Sequence, residues 1–414
     1  MKRLIFFITF IFLLLFTTHN QRISSSPDNT KESDPPPLTK SEKEWNKIQQ
    51  LFPGYEEWLT AEIEESGTVG AAVAVIYKGR MAHVKCFGTK KAGTPDPVDE
   101  HTVFRLASVS KSITGVLAGI LASEQVIDFD ECVADILPEF RLNSQVNTRQ
   151  MTLRNLLSHT TGLVPHAYDD LVESHVPYGK IFSRLQQARI SAPPGKLYSY
   201  QNVMFGLVDT ILQVKTNKNY SQLVKQKLFD PLGMKDASTD FESFRNNPNK
   251  AYPHRGGNGL YNPIPLNNRY YNVAPAAGVN ASISDMTKFL MGLLHEDNYL
   301  INRDIREMIF TPQVNSPLSS GYFRYWDKVD SKKYAIGWRI VDYKGRQIAY
   351  HGGYVSGYKS ELAICPDENI GIVFLTNSPN SVASQSIPVF LNSFFSQKDK
   401  EKMIAEAKND FSLK

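Results

Sequence analysis

The 414 residues are 42% hydrophobic and 21% charged, ordinary globular proportions with enough apolar material for one large domain or two packed together. The formal net charge is +4, part of it from Lys2 and Arg3, and so near a balance gives no argument for nucleic acid. Cys86, Cys132 and Cys365 are too few and scattered for a disulfide framework or metal centre. They read as small buried hydrophobes, with one unidentified pair able to bridge in an oxidising compartment.

Lys2 and Arg3 precede an apolar run over residues 4–16, interrupted only by Thr9, which is a secretory signal pattern and short for a membrane span. The reading is a signal peptide over 1–19 and an exported, periplasmic or secreted protein. No Ala-x-Ala site follows, so an uncleaved N-terminal anchor with membrane association stays open. Residues 20–40, with Pro35-Pro36-Pro37, have a linker composition that buries too little apolar area to order itself. Residues 41–65 carry Trp45, Ile48, Leu51 and then Trp58, Leu59, Ile63 at helical spacing, with a break at Pro53-Gly54.

A β-rich run over 69–77 and a second over 81–87 flank Lys78-Gly79-Arg80 and predict a hairpin. Phe104-Arg105-Leu106 leads into a predicted helix over 108–123, with Ile113, Val116, Leu117, Ile120 and Leu121 recurring at its period. Helical patterns follow over 153–158, 179–189, 202–214, 220–228 and 284–294, separated by Pro- and Gly-bearing loops. From residue 334 the pattern returns to strands, over 334–342, 346–351, 359–365 and 370–375, then a helix over 383–395 and a charged tail over 397–414. Strands at both ends with helices between predict an α+β fold in one domain over 41–396. Its antiparallel sheet would come from 41–107 and 334–396, flanked by helices, with a mostly helical part over 124–297 inserted.

Ser108 and Lys111 lie one turn apart at the start of the 108–123 helix, on one face. A serine hydroxyl becomes nucleophilic when a neighbouring base takes its proton, and a lysine is such a base when burial or nearby positive charge lowers its pKa. Ser356 and Lys359 repeat the spacing but straddle Gly357 in a loop entering a strand. No metal motif such as His-Glu-x-x-His occurs.

The stretch Phe104-Arg105-Leu106-Ala107-Ser108-Val109-Ser110-Lys111 resembles the first motif of the class C β-lactamase and D-alanyl-D-alanine carboxypeptidase superfamily. Tyr200-Gln201-Asn202, after Pro193-Pro194-Gly195, is similar to its second motif, Tyr-x-Asn, and His351-Gly352-Gly353 to its third, Lys/His-x-Gly. Tyr270-Tyr271-Asn272 and His254-Arg255-Gly256 match the same patterns but lie in loops, the latter far from any strand signal. Residues 153–163 and Ala277-Gly278-Val279 are also similar to family segments, so the resemblance covers about 69–391.

That resemblance implies a β-lactamase/transpeptidase-like fold and an acyl-enzyme on Ser108, with Lys111 as base and Tyr200 sharing the base role or passing the proton on. It implies that Asn202 orients Lys111 and that the backbone N–H groups of Ser108 and Tyr354 form the oxyanion hole. Gly352 and Gly353 would border the substrate, Gly353 letting the strand approach closely, and His159 would be structural. His351, where β-lactamases carry lysine, is largely neutral at pH 7 unless perturbed, and favours relatives acting on D-Ala peptides or esters; a half-buried strand histidine with no catalytic part is the alternative. The expected partner is a small-molecule or peptide substrate: a cell-wall D-Ala peptide, a β-lactam or an ester. No cofactor, metal or nucleic acid is implied, and an esterase, a class C-like β-lactamase or a penicillin-binding protein without turnover stays open.

Overall fold

The computed structural model describes residues 39–257, 259–295, 298–317, 321–327 and 329–412, so the expected signal segment and nearly all of the linker lie outside the described residues. The central sheet has eight antiparallel strands: β1 (Gly70–Tyr77), β2 (Arg80–Gly88), β3 (Val314–Asn315), β4 (Val329–Tyr334), β5 (Arg339–Tyr343), β6 (Arg346–Val355), β7 (Tyr358–Cys365) and β8 (Ile370–Thr376). Their order, β2-β1-β8-β7-β6-β5-β4-β3, seats the first hairpin beside the last strand, with Ala71 opposite Thr376 and Tyr77 opposite Ile370. β1 is buried along its whole length, which explains a continuous apolar run in place of an alternating one. Ala72, Ala74 and Ile76 face the inserted helices, while Ala71, Val73 and Val75 face an outer helical layer.

That outer layer joins α2 (Phe52–Ser66), which follows α1 (Lys40–Gln49), to the C-terminal helix α6 (Ser381–Ser412). Phe52, Tyr55 and Leu59 pack with Phe390 and Phe394, the Tyr55 and Phe390 rings 5.3 Å apart. On the other face lie α3 (Ser110–Ser123), α4 (Asn202–Thr216) and α5 (Ile283–Leu294). α3 is buried on every side from Ser110 to Leu121, as an all-round apolar helix must be. Each large aliphatic side chain on it contributes about 2 kcal/mol by burial, so the helix carrying Ser108 and Lys111 at its head is anchored over its length.

The structure departs from the predicted elements where the chain meets another layer. Pro53 occupies the first turn of α2, where its missing N–H costs nothing, so Pro53-Gly54 begins a helix and does not break one. The predicted strand 334–342 is two strands, β4 and β5, separated by a passage over α3. Gly337 makes that passage possible with φ +76, since a Cβ there would sit 2.2 Å from the Lys111 carbonyl oxygen. β4 also starts before residue 334, and α6 continues past 395 to Ser412. His254 is not in an open loop, because it opens a two-stranded ribbon of His254–Gly257 with Leu260–Pro263. All three cysteines are free; Cys365 is buried, but Cys86 and Cys132 are half-buried and not core residues.

Candidate active site

Ser108 sits in a tight turn, Ala107–Val109, that feeds directly into α3. Ala107 has φ +48, a left-handed conformation costing a non-glycine residue on the order of 1 kcal/mol or more, so the surroundings must hold it. They do: Leu106 N–H donates to the Val279 carbonyl at 2.9 Å, Val279 N–H donates to Ser110 Oγ at 3.0 Å, and Ser360 Oγ donates to the Leu106 carbonyl at 2.5 Å. Strand β6 presses against the same turn, where a Cβ on Gly353 would lie 3.0 Å from Ser108 N and 2.4 Å from the Leu106 oxygen. Glycine at 353 is therefore the condition for bringing the 353–354 backbone beside the Ser108 N–H. Gly353→Ala is expected to cut turnover of p-nitrophenyl acetate by about 10²-fold, the scale of one lost oxyanion donor; wild-type turnover in that variant would contradict the packing described here.

Lys111 is fully buried. Its Nζ lies 3.4 Å from Ser108 Oγ and donates to Asn202 Oδ1 at 2.7 Å and to the Ala276 carbonyl at 2.9 Å. Burial pushes its amine well below the ordinary lysine range, an effect Asp169 opposes and Arg339 reinforces. Tyr200, just before α4, donates its hydroxyl to Ser108 Oγ at 2.9 Å, and Lys111 Nζ stands 4.6 Å over its ring. Burial, with Tyr322 and Tyr334 nearby, holds this phenol well above its usual pKa despite Arg339 and the Ser108 hydrogen bond. The resemblance allowed Tyr200 either to share the base role or to pass the proton on, and a phenol held above its usual pKa is poorly suited to the first.

Asn202 opens α4, with Oδ1 toward Lys111 and Nδ2 donating to Asp169 Oδ2 at 2.8 Å. His351, on β6, is fully buried. Its Nδ1 lies 2.9 Å from the Gly352 carbonyl, which can only accept, so Nε2 is free to accept from the Tyr334 hydroxyl at 3.1 Å. Burial, then Arg339 and Lys111, push it well below the usual histidine range, so it stands as a neutral wall of the site. Gly352 leaves room for the Tyr350–Glu361 hydrogen bond, since its Cβ would sit 2.7 Å from the Tyr350 oxygen and 2.8 Å from Glu361 Oε2. Tyr354 is exposed at 67% and lines a cavity of about 510 Å³ with Asn267, Arg255 and Arg269.

His159 is buried behind Tyr200, ring centroids 4.2 Å apart, and its Nδ1 accepts from the Gln201 N–H at 3.2 Å. The look-alike motifs are elsewhere engaged. Ser356 and Lys359 lie across the β6–β7 turn, Lys359 donating to the Asn380 carbonyl, while Asn272 donates to the Val176 carbonyl and His254 Nε2 accepts from the Ala92 N–H.

Sequence reasoning missed Arg339, the first residue of β5. It is 5% exposed, donates to the Tyr198 hydroxyl at 3.0 Å, and lies over the rings of Tyr322, Tyr200 and Tyr334 at 4.3, 5.4 and 5.6 Å. Its Nε is buried without a partner, and among the described residues no carboxylate pairs with it. It lines a cleft of about 290 Å³ with Tyr200, Tyr322, His166 and Ser316.

An antiparallel sheet from both ends of the domain, with a Ser-x-x-Lys turn between sheet and helices, defines the β-lactamase/transpeptidase-like class. The chain belongs to the Beta-lactamase family, which it matches over residues 55–388. It is similar to the Unguisins hydrolase ungD' of Aspergillus campestris, 24% identical over 365 residues that cover 83% of this chain and 64% of that one. Beta-lactamase-like protein 2 of Dictyostelium discoideum is 23% identical over 349 residues, 79% of this chain and 59% of its own. The Beta-lactamase of Escherichia coli is 25% identical over 361 residues, covering 80% and 89%. The chain thus spans 64% and 59% of the first two relatives. The octameric penicillin-binding protein homologue from Pyrococcus abyssi shares the fold, with a TM-score of 0.71 at 21% identity over 82% of this chain and 77% of that one.

Proposed function

We propose that this chain is an exported hydrolase that cleaves amide or ester bonds through an acyl-enzyme on Ser108, with D-Ala-D-Ala-type peptides bearing a free carboxylate as its substrates. Ser108 Oγ attacks the carbonyl carbon and its proton passes to Lys111. The oxyanion takes the N–H groups of Ser108 and Tyr354. Tyr200 protonates the departing amine or alkoxide and is reprotonated from Lys111, and water then hydrolyses the ester, the same groups moving its protons in reverse. Export rests on Lys2, Arg3 and the apolar run 4–16, and cell-wall peptides lie on that side of the membrane. β-Lactams, which share the carboxylate and carry a strained amide, would acylate Ser108 as a side reaction.

The observation that carries the substrate class is Arg339. A buried guanidinium without a carboxylate partner is costly in the free protein, and an anionic group on the ligand relieves that cost. It supplies, from the neighbouring strand, the permanent cation that His351 does not. The test compares a peptide ending in D-Ala-D-Ala with the same peptide amidated at its C-terminus. Wild-type protein should prefer the free acid by about 10²-fold in kcat/KM, on the scale of a charged hydrogen bond, and Arg339→Met should erase the preference mainly through KM. Equal cleavage of both peptides would overturn the carboxylate reading. Turnover of nitrophenyl esters with no peptide cleavage would make the chain an esterase.

A further inference from the structure

We propose that Asp169 is a positioning residue of this site: through Asn202 it fixes the orientation and the charge of Lys111, and His166 closes its solvent side. The proposal rests on the reading of Lys111 as the base for Ser108. An asparagine beside an amine can present either its oxygen or its NH₂, and only the oxygen accepts. Asn202 presents Oδ1 to Lys111 because its Nδ2 has an acceptor behind it, Asp169 Oδ2 at 2.8 Å. The same Oδ2 accepts from His166 Nδ1 at 2.7 Å, and His166 is exposed. A continuous hydrogen-bonded path thus runs from solvent at His166, through Asp169 and Asn202, to the buried amine.

The loop that carries this path is held in an unfavourable shape. His166 and Tyr168 have φ +57 and +63, and the segment is tied down by His166 N–H to the Tyr200 carbonyl at 2.8 Å and by the Tyr168 hydroxyl to the Arg184 carbonyl at 2.9 Å. Strain retained next to a reactive group is a mark of a functional constraint. Asp169 Oδ1 is itself buried without a partner among the described residues. The charged and titratable groups facing Lys111 are Asp169, Arg339, the phenol of Tyr200 and the buried imidazoles His159 and His351. Those facing Asp169 are His166 and Tyr270, with Lys111 behind Asn202. Asp169 is the anion of that set, and it favours the ammonium form that Arg339 and burial disfavour.

The sign of the effect follows. Neutralising Asp169 lets Lys111 lose its proton at lower pH, so the acid limb of Ser108 reactivity moves down. The experiment follows the rate at which a fluorophosphonate labels Ser108, by intact mass over a pH series, in wild-type protein, Asp169→Asn, Asp169→Ala, Asp169→Glu and Ser108→Ala. Asp169→Asn, which keeps an acceptor for Asn202, should move the acid limb down by about one pH unit. Asp169→Ala should show the same movement and, by freeing Asn202 to turn, a further loss of about tenfold at every pH. Asp169→Glu keeps the charge and should leave the limb in place. A residue that merely held the loop would lower rates without moving the limb, so coincident limbs in wild type and Asp169→Asn overturn the proposal. Should Asp169→Ala fail to fold, Asp169→Asn still decides. Labelling absent in wild type, or unchanged in Ser108→Ala, would instead remove the reading of Ser108 and Lys111, and this proposal with it.

Discussion

Ser108→Ala should reduce turnover of p-nitrophenyl acetate and of any cleaved peptide by about 10⁴-fold or more, the scale seen when a nucleophile is removed from a unit that works together. Tyr200 and Lys111 both converge on Ser108 Oγ, at 2.9 and 3.4 Å, so neither has anything to activate once that oxygen is gone. The fold should survive, because the turn is held by main-chain bonds to Val279 and by Ser360, none of which uses the serine side chain. The expected stability loss is about 1 kcal/mol for the Tyr200 hydroxyl left without its acceptor. Rate assays beside a thermal melt check both halves. Activity within about tenfold of wild type would mean that the nucleophile lies elsewhere.

Lys111→Met should cost about 10³-fold or more in the same assay, and it should also change how stability depends on pH. Methionine fills nearly the same volume without a charge. In the wild type, burial holds the folded-state amine well below the ordinary lysine value of about 10.4 reached in the unfolded chain. Between those two values the unfolded chain binds more protons, so this group makes stability rise with pH across that window. Below the folded-state value its penalty is complete and constant. The methionine variant lacks that slope, so its stability relative to wild type is most favourable at low pH and falls as pH rises. At high pH only the lost hydrogen bonds to Asn202 and Ala276 remain, and the variant should be the weaker protein. Denaturant titrations of both proteins over a pH series check this, and parallel curves would contradict a buried amine of lowered basicity.

Much of the site was legible because its parts are local. Ser108 and Lys111, the pair Tyr200 and Asn202, and the run His351-Gly352-Gly353 are each close in sequence, at the start of an apolar helix for the first two and on one strand for the third. The β-rich runs over 69–77 and 81–87 likewise announced the hairpin of β1 and β2. Arg339 was not legible, since what distinguishes it is burial without a carboxylate, a property of the tertiary neighbours Tyr198, Tyr200, Tyr322 and Tyr334. A lone arginine inside an apolar strand pattern, Trp338-Arg339-Ile340, was the available cue. Asp169 drew no reading from the sequence; it lies at the start of a short helix, Asp169–Glu173, and the fold brings it behind Asn202. The break between β4 and β5 had one local cue, Gly337 between Ile336 and Trp338; that the chain turns there to clear α3 is a property of the fold.

The central claim is a covalent intermediate on Ser108, and intact-mass measurement with peptide mapping after exposure to a labelled penicillin tests it most directly. The expected result is one adduct per chain, located on Ser108, lost with time in the wild type and absent from Ser108→Ala. An adduct on another residue, or one formed equally in Ser108→Ala, would contradict it.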